Sequence, residues 1–157
     1  MPEIKLGVIS DTHGLLRPEA KSALEGLEHI LHIGDVGSEK VWQELNVIAP
    51  VTAVKGNVDK GDWAKTLPLT EVFSWGESHV YLLHDLSELD LDPAAAGFQV
   101  VLSGHSHRPV EEFKDGVLYL NPGSAGPFRF RLPCTMAYLF LSETEKPRVQ
   151  WIELVER

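Results

Sequence analysis

Seven side chains that could bind divalent metal ions stand where short apolar runs of the sequence end or break. Four are histidines, two are aspartates and one is an asparagine. The set consists of Asp11, His13, Asp35, Asn57, His84, His105 and His107. Mixed nitrogen and oxygen ligands suit Mn, Fe, Co, Ni and Zn, whereas Ca and Mg sites are usually built from oxygen alone. Two ions that share one carboxylate need about seven or eight ligands, so the number fits a dinuclear site.

The spacing within the set also favours a shared site. In Asp11-x-His13 and His105-x-His107 the two side chains are two residues apart. At the end of a strand this separation predicts that both point to the same side of the sheet. Nearby glycines allow sharp turns and a close approach of the backbone to a ligand. These glycines are Gly14, Gly34, Gly56 and Gly104.

The first half of the chain alternates between strands and helices. Apolar runs predict strands at Ile4–Ile9, His29–Ile33 and Val51–Val54. Pro18 suits the first turn of one helix, and Ser38 is a candidate N-cap for another. This alternation predicts right-handed crossovers and parallel strands. The carboxyl ends of such strands meet at one edge of the sheet, where ligands bind.

The second half reads differently, with two hairpins and three further strands. The ranges are 72–75 with 80–84, 98–103, 110–113 with 117–120, 136–141 and 149–155. Asp115-Gly116 is a strong hairpin turn signal, and the segment 121–133 is predicted to be a functional loop. The elements together predict an α/β (α+β) fold, a four-layer αββα sandwich of two mixed sheets flanked by helices. We expect one half to be mostly parallel and the other rich in hairpins.

Length and composition fit one soluble domain over residues 1–157. The 157 residues are 43% hydrophobic and 24% charged, which is ordinary for a globular protein. The net charge of −9 excludes a general nucleic-acid coat protein, and we expect no stable nucleic-acid complex. One cysteine, Cys134, excludes a disulfide framework and suits a reducing compartment. No apolar stretch approaches the ~20 residues that span a bilayer, so we expect a cytoplasmic protein without a membrane anchor.

Five short motifs occur in an order that resembles a known family, the calcineurin-like metallophosphoesterases. They are Asp11-Thr12-His13, Gly34-Asp35, Gly56-Asn57-Val58-Asp59, Gly104-His105-Ser106-His107 and Asn121-Pro122-Gly123-Ser124. Each motif alone is weak, but five in order at predicted strand ends are specific. The sequence is most similar to the small bacterial and archaeal phosphodiesterases of the family, and the resemblance spans nearly the whole chain.

The resemblance implies a dinuclear centre in which Asp35 bridges the ions. One ion would be held by Asp11, His13, Asp35 and His107, and the other by Asp35, Asn57, His84 and His105. A bridging hydroxide would attack a phosphodiester, with Asp35, Asn57 and His105 as catalytic residues. We expect manganese first, with Ni, Fe, Co or Zn as alternatives. The expected substrate is a small molecule or a nucleotide, and Arg17 and Arg129 are candidates for contacting its phosphate.

Two positions depart from the family pattern. Val58 stands where the large phosphatases and the nucleases have a histidine that protonates the leaving group. A missing general acid costs about 10²–10⁴-fold for a poor leaving group, so we predict that diesters and aryl esters are preferred to alkyl monophosphates. Asp85 follows His84 where the family commonly has glycine. This carboxylate either accepts a hydrogen bond from an imidazole or weakens phosphate binding, and it makes His84 the least secure ligand.

Several residues have alternative interpretations. Asp11, Asp35 and Asn57 would each, taken singly, be typical turn residues. The remaining polar candidates are less specific. For His29 and His32 we favour a role in the core or in supporting the ligands, and Asp59 is equally a supporting residue or a turn residue. Arg131 is a further candidate for substrate contact. Cys134 is expected to pack in the interior without a catalytic role.

A second class of function is open as well. The eukaryotic retromer subunit has this fold and is generally regarded as a binding subunit, so the alternative is an inactive scaffold that binds a protein. Retention of all seven ligand-type side chains argues against it. A structural zinc site is disfavoured, because its four ligands are usually closely spaced. The aromatic residues leave room for a homo-oligomer.

Overall fold

A computed structural model describes residues 2–129 and 131–155, which form ten strands and three α-helices. The strands are β1 (Ile4–Ile9), β2 (Ile30–His32), β3 (Val51–Ala53), β4 (Thr70–Trp75), β5 (Ser78–Leu83), β6 (Val100–Leu102), β7 (Val110–Lys114), β8 (Val117–Asn121), β9 (Cys134–Leu141) and β10 (Arg148–Val155). The helices are α1 (Pro18–Leu24), α2 (Glu39–Ile48) and α3 (Pro93–Ala96), with short 3-10 helices at Asp62–Ala64 and Leu86–Glu88. Within these residues no helix has the length and hydropathy that a membrane span requires.

The strands form two five-stranded sheets, ordered β10-β9-β1-β2-β3 and β4-β5-β6-β8-β7. In the first sheet β1, β2 and β3 are parallel, while β9 and β10 are antiparallel to their neighbours. In the second sheet β5, β6 and β8 are parallel, and the edge strands β4 and β7 are antiparallel. The predicted sandwich of two mixed sheets is therefore confirmed.

The predicted contrast between a parallel half and a hairpin-rich half is confirmed along the chain, since β1 to β3 are parallel and three hairpins follow, but it does not separate the two sheets. The last two strands return to pair with β1, so the first sheet gains an antiparallel edge. The other two hairpins add one antiparallel strand to each side of a parallel centre in the second sheet. Local apolar patterns identify the strands, but which strands pair depends on how distant segments meet.

The core lies between the two sheets, where side chains from both inner faces pack together. Leu6 and Val8 of β1 lie there with Leu82 and Leu102 of the second sheet, all fully buried. Alternate residues of β1 point to the opposite face. Ile9 accordingly packs beneath the helices rather than between the sheets.

The two outer faces are covered unequally. Helices α1 and α2 cover the first sheet through Leu24, Val41 and Leu45, and the Ser38 hydroxyl caps α2 by accepting from the Val41 N–H at 3.2 Å. The second sheet is covered mainly by the 86–98 segment, in which α3 has only four residues. The fourth layer of the sandwich is therefore thin.

Candidate metal centre

The loop after β1 carries a fully buried carboxylate, that of Asp11. Its Oδ2 accepts hydrogen bonds from the Ser10 hydroxyl at 2.5 Å and from the His105 backbone N–H at 3.1 Å. Its Oδ1 faces the Nε2 atoms of His13 and His107 at 3.5 and 3.3 Å. The fold thus fixes Asp11 through one oxygen and turns the other toward two imidazoles.

The loop after β2 holds Asp35 in the same way. Its Oδ1 accepts from the Val58 backbone N–H at 3.0 Å. Its Oδ2 lies 3.1 Å from His84 Nε2 and 3.6 Å from His13 Nε2. Gly34, with φ 97°, makes the turn possible, because a Cβ there would lie 2.5 Å from the His84 ring.

His84 comes from the second sheet, at the end of β5, and its side chain is 5% exposed. Its Nδ1 donates to the Ile33 carbonyl at 2.7 Å, which directs Nε2 toward Asp35. Burial opposes protonation of this ring, but the contact with the Asp35 carboxylate, the hydrogen bond to the Ile33 carbonyl and the charge of Asp11 outweigh it and raise the pKa of His84 to about 9. The ring therefore lies in a strongly negative environment.

The pKa values of the two carboxylates are lowered, in contrast to that of His84. Burial by itself would raise the pKa of Asp11, but the close contacts with His107 and His13, the hydrogen bond from Ser10 and the charge of His84 hold it well below its usual range. The pKa of Asp35 is also lowered, since its contacts with His84 and the Val58 N–H outweigh its burial. Both carboxylates are thus ionised at neutral pH.

These side chains form two overlapping groups with metal-ligand spacing: Asp11, His13 and His107; and Asp11, Asp35 and His84. His13 and His107 approach Nε2 to Nε2 at 3.3 Å. Two ligands that each lie about 2.0–2.2 Å from one ion are separated by about 3–3.5 Å. Among the described residues, the buried side-chain atoms without a hydrogen-bond partner are Asp11 Oδ1, His84 Nε2 and His107 Nδ1. Buried polar groups are normally satisfied, so the donor set fits divalent metal ions.

The backbone of the cluster is strained. Asp11, His13, Asp35, His105 and His107 all have left-handed φ values, between 47° and 70°. Residues other than glycine seldom adopt this conformation, and such residues collect at functional sites. The prediction that the side-chain pairs point together because a strand continues through them is therefore wrong in its mechanism. Tight loops, not strand alternation, direct these side chains.

Comparison with known proteins agrees with the geometry. Residues 4–144 match the calcineurin-like phosphoesterase superfamily domain. The chain belongs to this superfamily. A probable metallophosphoesterase of Methanothermobacter thermautotrophicus is 38% identical over 144 residues, covering 83% of each chain. The solved structure of an archaeal phosphodiesterase matches with a TM-score of 0.79 and 28% identity, covering 96% of this chain and 100% of the other. Vps29 of Cryptosporidium parvum has a TM-score of 0.77 at 20% identity, covering 98% and 99% of the two chains, a likeness that establishes the fold alone.

Two of the predicted ligands of this phosphoesterase lie at the rim of the cluster. Asn57 is exposed, between Gly56 and Val58, which both abut Asp35. The side chain of His105 is 46% exposed, and its Nε2 lies 3.8 Å from Asp85 Oδ2. The structure therefore gathers five of the seven predicted side chains and places the other two at the edge.

The carboxylate of Asp85 faces His105 and not His84. Its Oδ1 accepts from the hydroxyl and the N–H of Ser87 at 2.8 and 3.0 Å. These bonds, together with nearby histidine charge, lower the pKa of Asp85. An ionised carboxylate therefore stands beside the more exposed of the two histidines.

The arginines predicted to contact substrate have different surroundings. Arg17 donates from Nε to the Gly126 carbonyl at 3.1 Å, and its guanidinium lies 5.1 Å from the centre of the Phe128 ring. It thereby joins the start of α1 to the loop after β8. Arg129 and Arg131 are exposed on that loop. Substrate contact by Arg17 and Arg129 stays a prediction.

Three further groups support the ligands. The sequence offered this role as one alternative for His32 and Asp59, but it did not single out Ser10. Ser10 holds Asp11. His32, fully buried, accepts from the Gly34 N–H at Nδ1 and lies 3.1 Å from the Thr12 hydroxyl at Nε2, which links the first two loops. Asp59 is 1% exposed and bonds three backbone N–H groups. A buried polar residue next to a ligand is the available signal, but its partner comes from another loop.

Two cavities adjoin the centre and share Asp85 in their walls. One, of about 440 Å³, is lined among others by Lys55, Asn57 and His84. The other, of about 180 Å³, is lined by His105 with apolar and polar neighbours that include Tyr119. The larger is within the usual size of small-molecule sites.

Proposed function

We propose that this chain is a metal-dependent phosphodiesterase that hydrolyses a small-molecule or nucleotide phosphoester at a dinuclear metal centre. The observation that carries the proposal is the convergence of Asp11, Asp35 and three imidazoles on one largely buried point, where the unpartnered Asp11 Oδ1 and His84 Nε2 face each other at 4.0 Å. Membership of the superfamily and the similarity to an archaeal phosphodiesterase support the same reaction class.

In this proposal each carboxylate has one oxygen for the protein and one for metal. Asp11, His13, Asp35 and His107 would hold one ion, and Asp35, Asn57, His84 and His105 the other. Asp35 is suited to the shared role, because its Oδ2 lies near one histidine of each set, His13 and His84. Manganese is the first expectation, since its availability and the mixed donor set both allow it.

When bound, two divalent ions supply a hydroxide nucleophile near neutral pH and positive charge for the phosphate. The chain's own residues prepare the site for that charge. Ser10, the His105 N–H and the Val58 N–H fix the carboxylates so that they need no reorganisation. Asn57 is exposed at the rim, and in this proposal its amide donates hydrogen bonds to the phosphate. Val58 offers no proton to the leaving group, which favours esters whose alcohol leaves as an anion.

Metal analysis combined with a hydrolysis assay tests the proposal. We expect two metal ions per chain after purification with Mn²⁺, and Mn²⁺-dependent hydrolysis of bis-nitrophenyl phosphate. Asp62→Asn is the matched control, since this aspartate is exposed and pairs only with Lys65 three residues away among the contacts described. A chain that binds no metal under these conditions contradicts the proposal.

A binding scaffold is the second candidate, supported by the likeness to Vps29 proteins. Metal binding alone does not separate the two functions, because the structure of Entamoeba histolytica Vps29 was solved with Zn²⁺. Two bound ions without hydrolysis of any diester would favour the scaffold. Diester turnover that depends on Asp35 would favour the enzyme.

A further inference from the structure

A buried carboxylate outside the ligand set joins two of the ligand loops. Asp59 is 1% exposed and lies in the loop after β3. Its Oδ2 accepts from the backbone N–H groups of Asp35 at 3.0 Å and Gly56 at 2.9 Å, and its Oδ1 accepts from the Gly37 N–H at 2.9 Å. If Asp59 only stabilised the turn of its own loop, the bond to the Gly56 N–H would be sufficient. The other two bonds reach the loop after β2.

The connection between the loops is reciprocal. The Asp59 carboxylate accepts from the backbone of Asp35, and the Asp35 carboxylate accepts from the backbone of Val58. Gly56 lets the two loops come this close, since a Cβ there would lie 2.2 Å from the Asp35 nitrogen. One loop is thus fixed at Asp35, a ligand candidate itself, and the other at Val58, the neighbour of the ligand candidate Asn57.

The loop after β2 needs an anion at this place. Gly34, Asp35 and Gly37 have left-handed φ values of 97°, 56° and 93°, and the N–H groups of Asp35 and Gly37 both point toward the Asp59 carboxylate. Such concave groups of N–H donors bind anions, and hydrogen bonds to an ionised acceptor are about twice as strong as neutral ones. The Asp59 carboxylate fills this position, so the N–H groups of Asp35 and Gly37 are taken by the chain itself.

We propose that Asp59 is a positioning residue for the metal centre, which holds Asp35 and Asn57 in register so that both present their ligand atoms to the same ion. The inference rests on the proposed function, because it concerns ligands of that centre. Asp59 touches neither metal nor substrate, and it acts through the two loops that it joins.

Two variants of Asp59 test this role. Asp59→Ala removes all three bonds, and Asp59→Asn keeps one acceptor oxygen but turns an NH₂ group toward an N–H. Supporting groups around metal ligands typically change metal affinity by about 10–100-fold. We expect a fall in Mn²⁺ affinity of that size for Asp59→Ala, and a smaller fall for Asp59→Asn. At saturating Mn²⁺, kcat should stay below that of the wild type while KM for bis-nitrophenyl phosphate changes little.

The readouts separate positioning from general stability. Mn²⁺ affinity by calorimetry and the visible spectrum of the Co²⁺-loaded chain report on the ligands, and thermal unfolding reports on the fold. Asp62→Asn, in the same stretch of chain, should match the wild type in all three. Folded Asp59 variants with weakened Mn²⁺ binding and an altered Co²⁺ spectrum support the proposal.

The contrary results are equally distinct. Folded variants with wild-type Mn²⁺ affinity and kcat overturn the inference, as does a loss of cooperative unfolding in both variants, which would assign Asp59 to the fold as a whole. If the wild type itself binds no Mn²⁺, the proposed function fails and this inference with it. Wild-type binding together with unaltered variants overturns the inference alone.

Discussion

The candidate centre has a buried half and an exposed half, and the fold treats them differently. The buried half consists of Asp11, His13, Asp35, His84 and His107, which approach one another closely. The exposed half consists of Asn57 and His105, which lie at the rim. In the buried half the two carboxylates and His84 each have a second atom tied to the protein. We infer that the buried half supplies most of the metal ligands, and that the exposed half, whose Asn57 and His105 complete the ligand set of the second ion, also meets the substrate.

Both departures from the family pattern lie next to the exposed half. Val58 follows Asn57 in the chain, and Asp85 faces His105. The supporting bonds of the buried half involve backbone groups or Ser10, so they do not depend on those positions' side chains. The comparison predicts that changes in the buried half abolish metal binding, whereas changes in the exposed half weaken metal binding less and act mainly on turnover.

The largest effect should come from Asp35→Asn. This substitution removes the carboxylate that lies between His13 and His84. Loss of a shared metal ligand should lower diesterase activity by about 10³-fold or more and reduce Mn²⁺ uptake below two ions per chain. Activity and metal content are measured together, with Asp62→Asn as control. Two bound Mn²⁺ ions per chain in Asp35→Asn would contradict the claim that metal binding depends on the buried half.

The second-largest effect should be the preference of the wild type for a diester over an alkyl monophosphate. Without a proton donor at position 58, bis-nitrophenyl phosphate should be hydrolysed about 10²–10⁴-fold faster than glycerol phosphate. The ratio of the kcat/KM values for the two substrates measures the preference. Val58→His should lower this ratio, because the histidine should accelerate hydrolysis of the monoester only. Equal rates for the two substrates in the wild type would refute the interpretation of Val58.

Asn57→Ala isolates the exposed half. At saturating Mn²⁺, with the three other ligands of the second ion in place, we expect two Mn²⁺ ions to stay bound while kcat falls about 10²-fold, the scale for loss of a donor to developing charge. Metal analysis and steady-state kinetics on the same sample give the two values. Unchanged turnover would mean that the Asn57 amide plays no part in hydrolysis.

The buried ring of His32, next to the ligand loops, should make the free energy of unfolding depend on pH. Burial lowers the pKa of His32 to about 4, against 6.5 in the unfolded chain, although Asp59, Asp11 and Asp35 favour the charged ring and His84 opposes it. Between these values the unfolded chain binds the extra proton, so the free energy of unfolding falls as pH is lowered from 6.5 toward 4, by about 3 kcal/mol.

Denaturant unfolding across this pH range measures the effect. His32→Gln offers an acceptor and a donor without titrating, so its curve should lack this part of the pH dependence. Parallel curves for the wild type and the variant would show that His32 does not contribute.

The smallest effect should come from Ser10→Ala, which removes one of two hydrogen bonds to Asp11 Oδ2. We expect Mn²⁺ affinity to fall about 10-fold, the low end for such supporting groups, because the His105 N–H still holds the oxygen. Competition with a calibrated chelator resolves this difference. A loss as large as that of Asp35→Asn would place Ser10 among the ligands instead.

The sequence allowed the strands, the two longer helices and the convergence of the motifs to be predicted, for identifiable reasons. Apolar runs such as Ile4–Ile9 end at polar loops, and parallel strands bring those ends to one edge. The left-handed backbone at Asp11 and Asp35 was not predictable from periodicity, which assumes that a strand continues. The role of Ser10 and the bonding partners of His32 and Asp59 were hidden, because each depends on a loop from a distant part of the chain.

The most direct test of the central claim is an anomalous difference map from crystals grown with Mn²⁺. Two peaks are expected at the buried half, one beside Asp11 Oδ1, His13 and His107 and one beside His84, with Asp35 Oδ2 within about 2.0–2.3 Å of both. No peak at this position, with the imidazoles bonded directly to the carboxylates in the presence of Mn²⁺, would contradict the account.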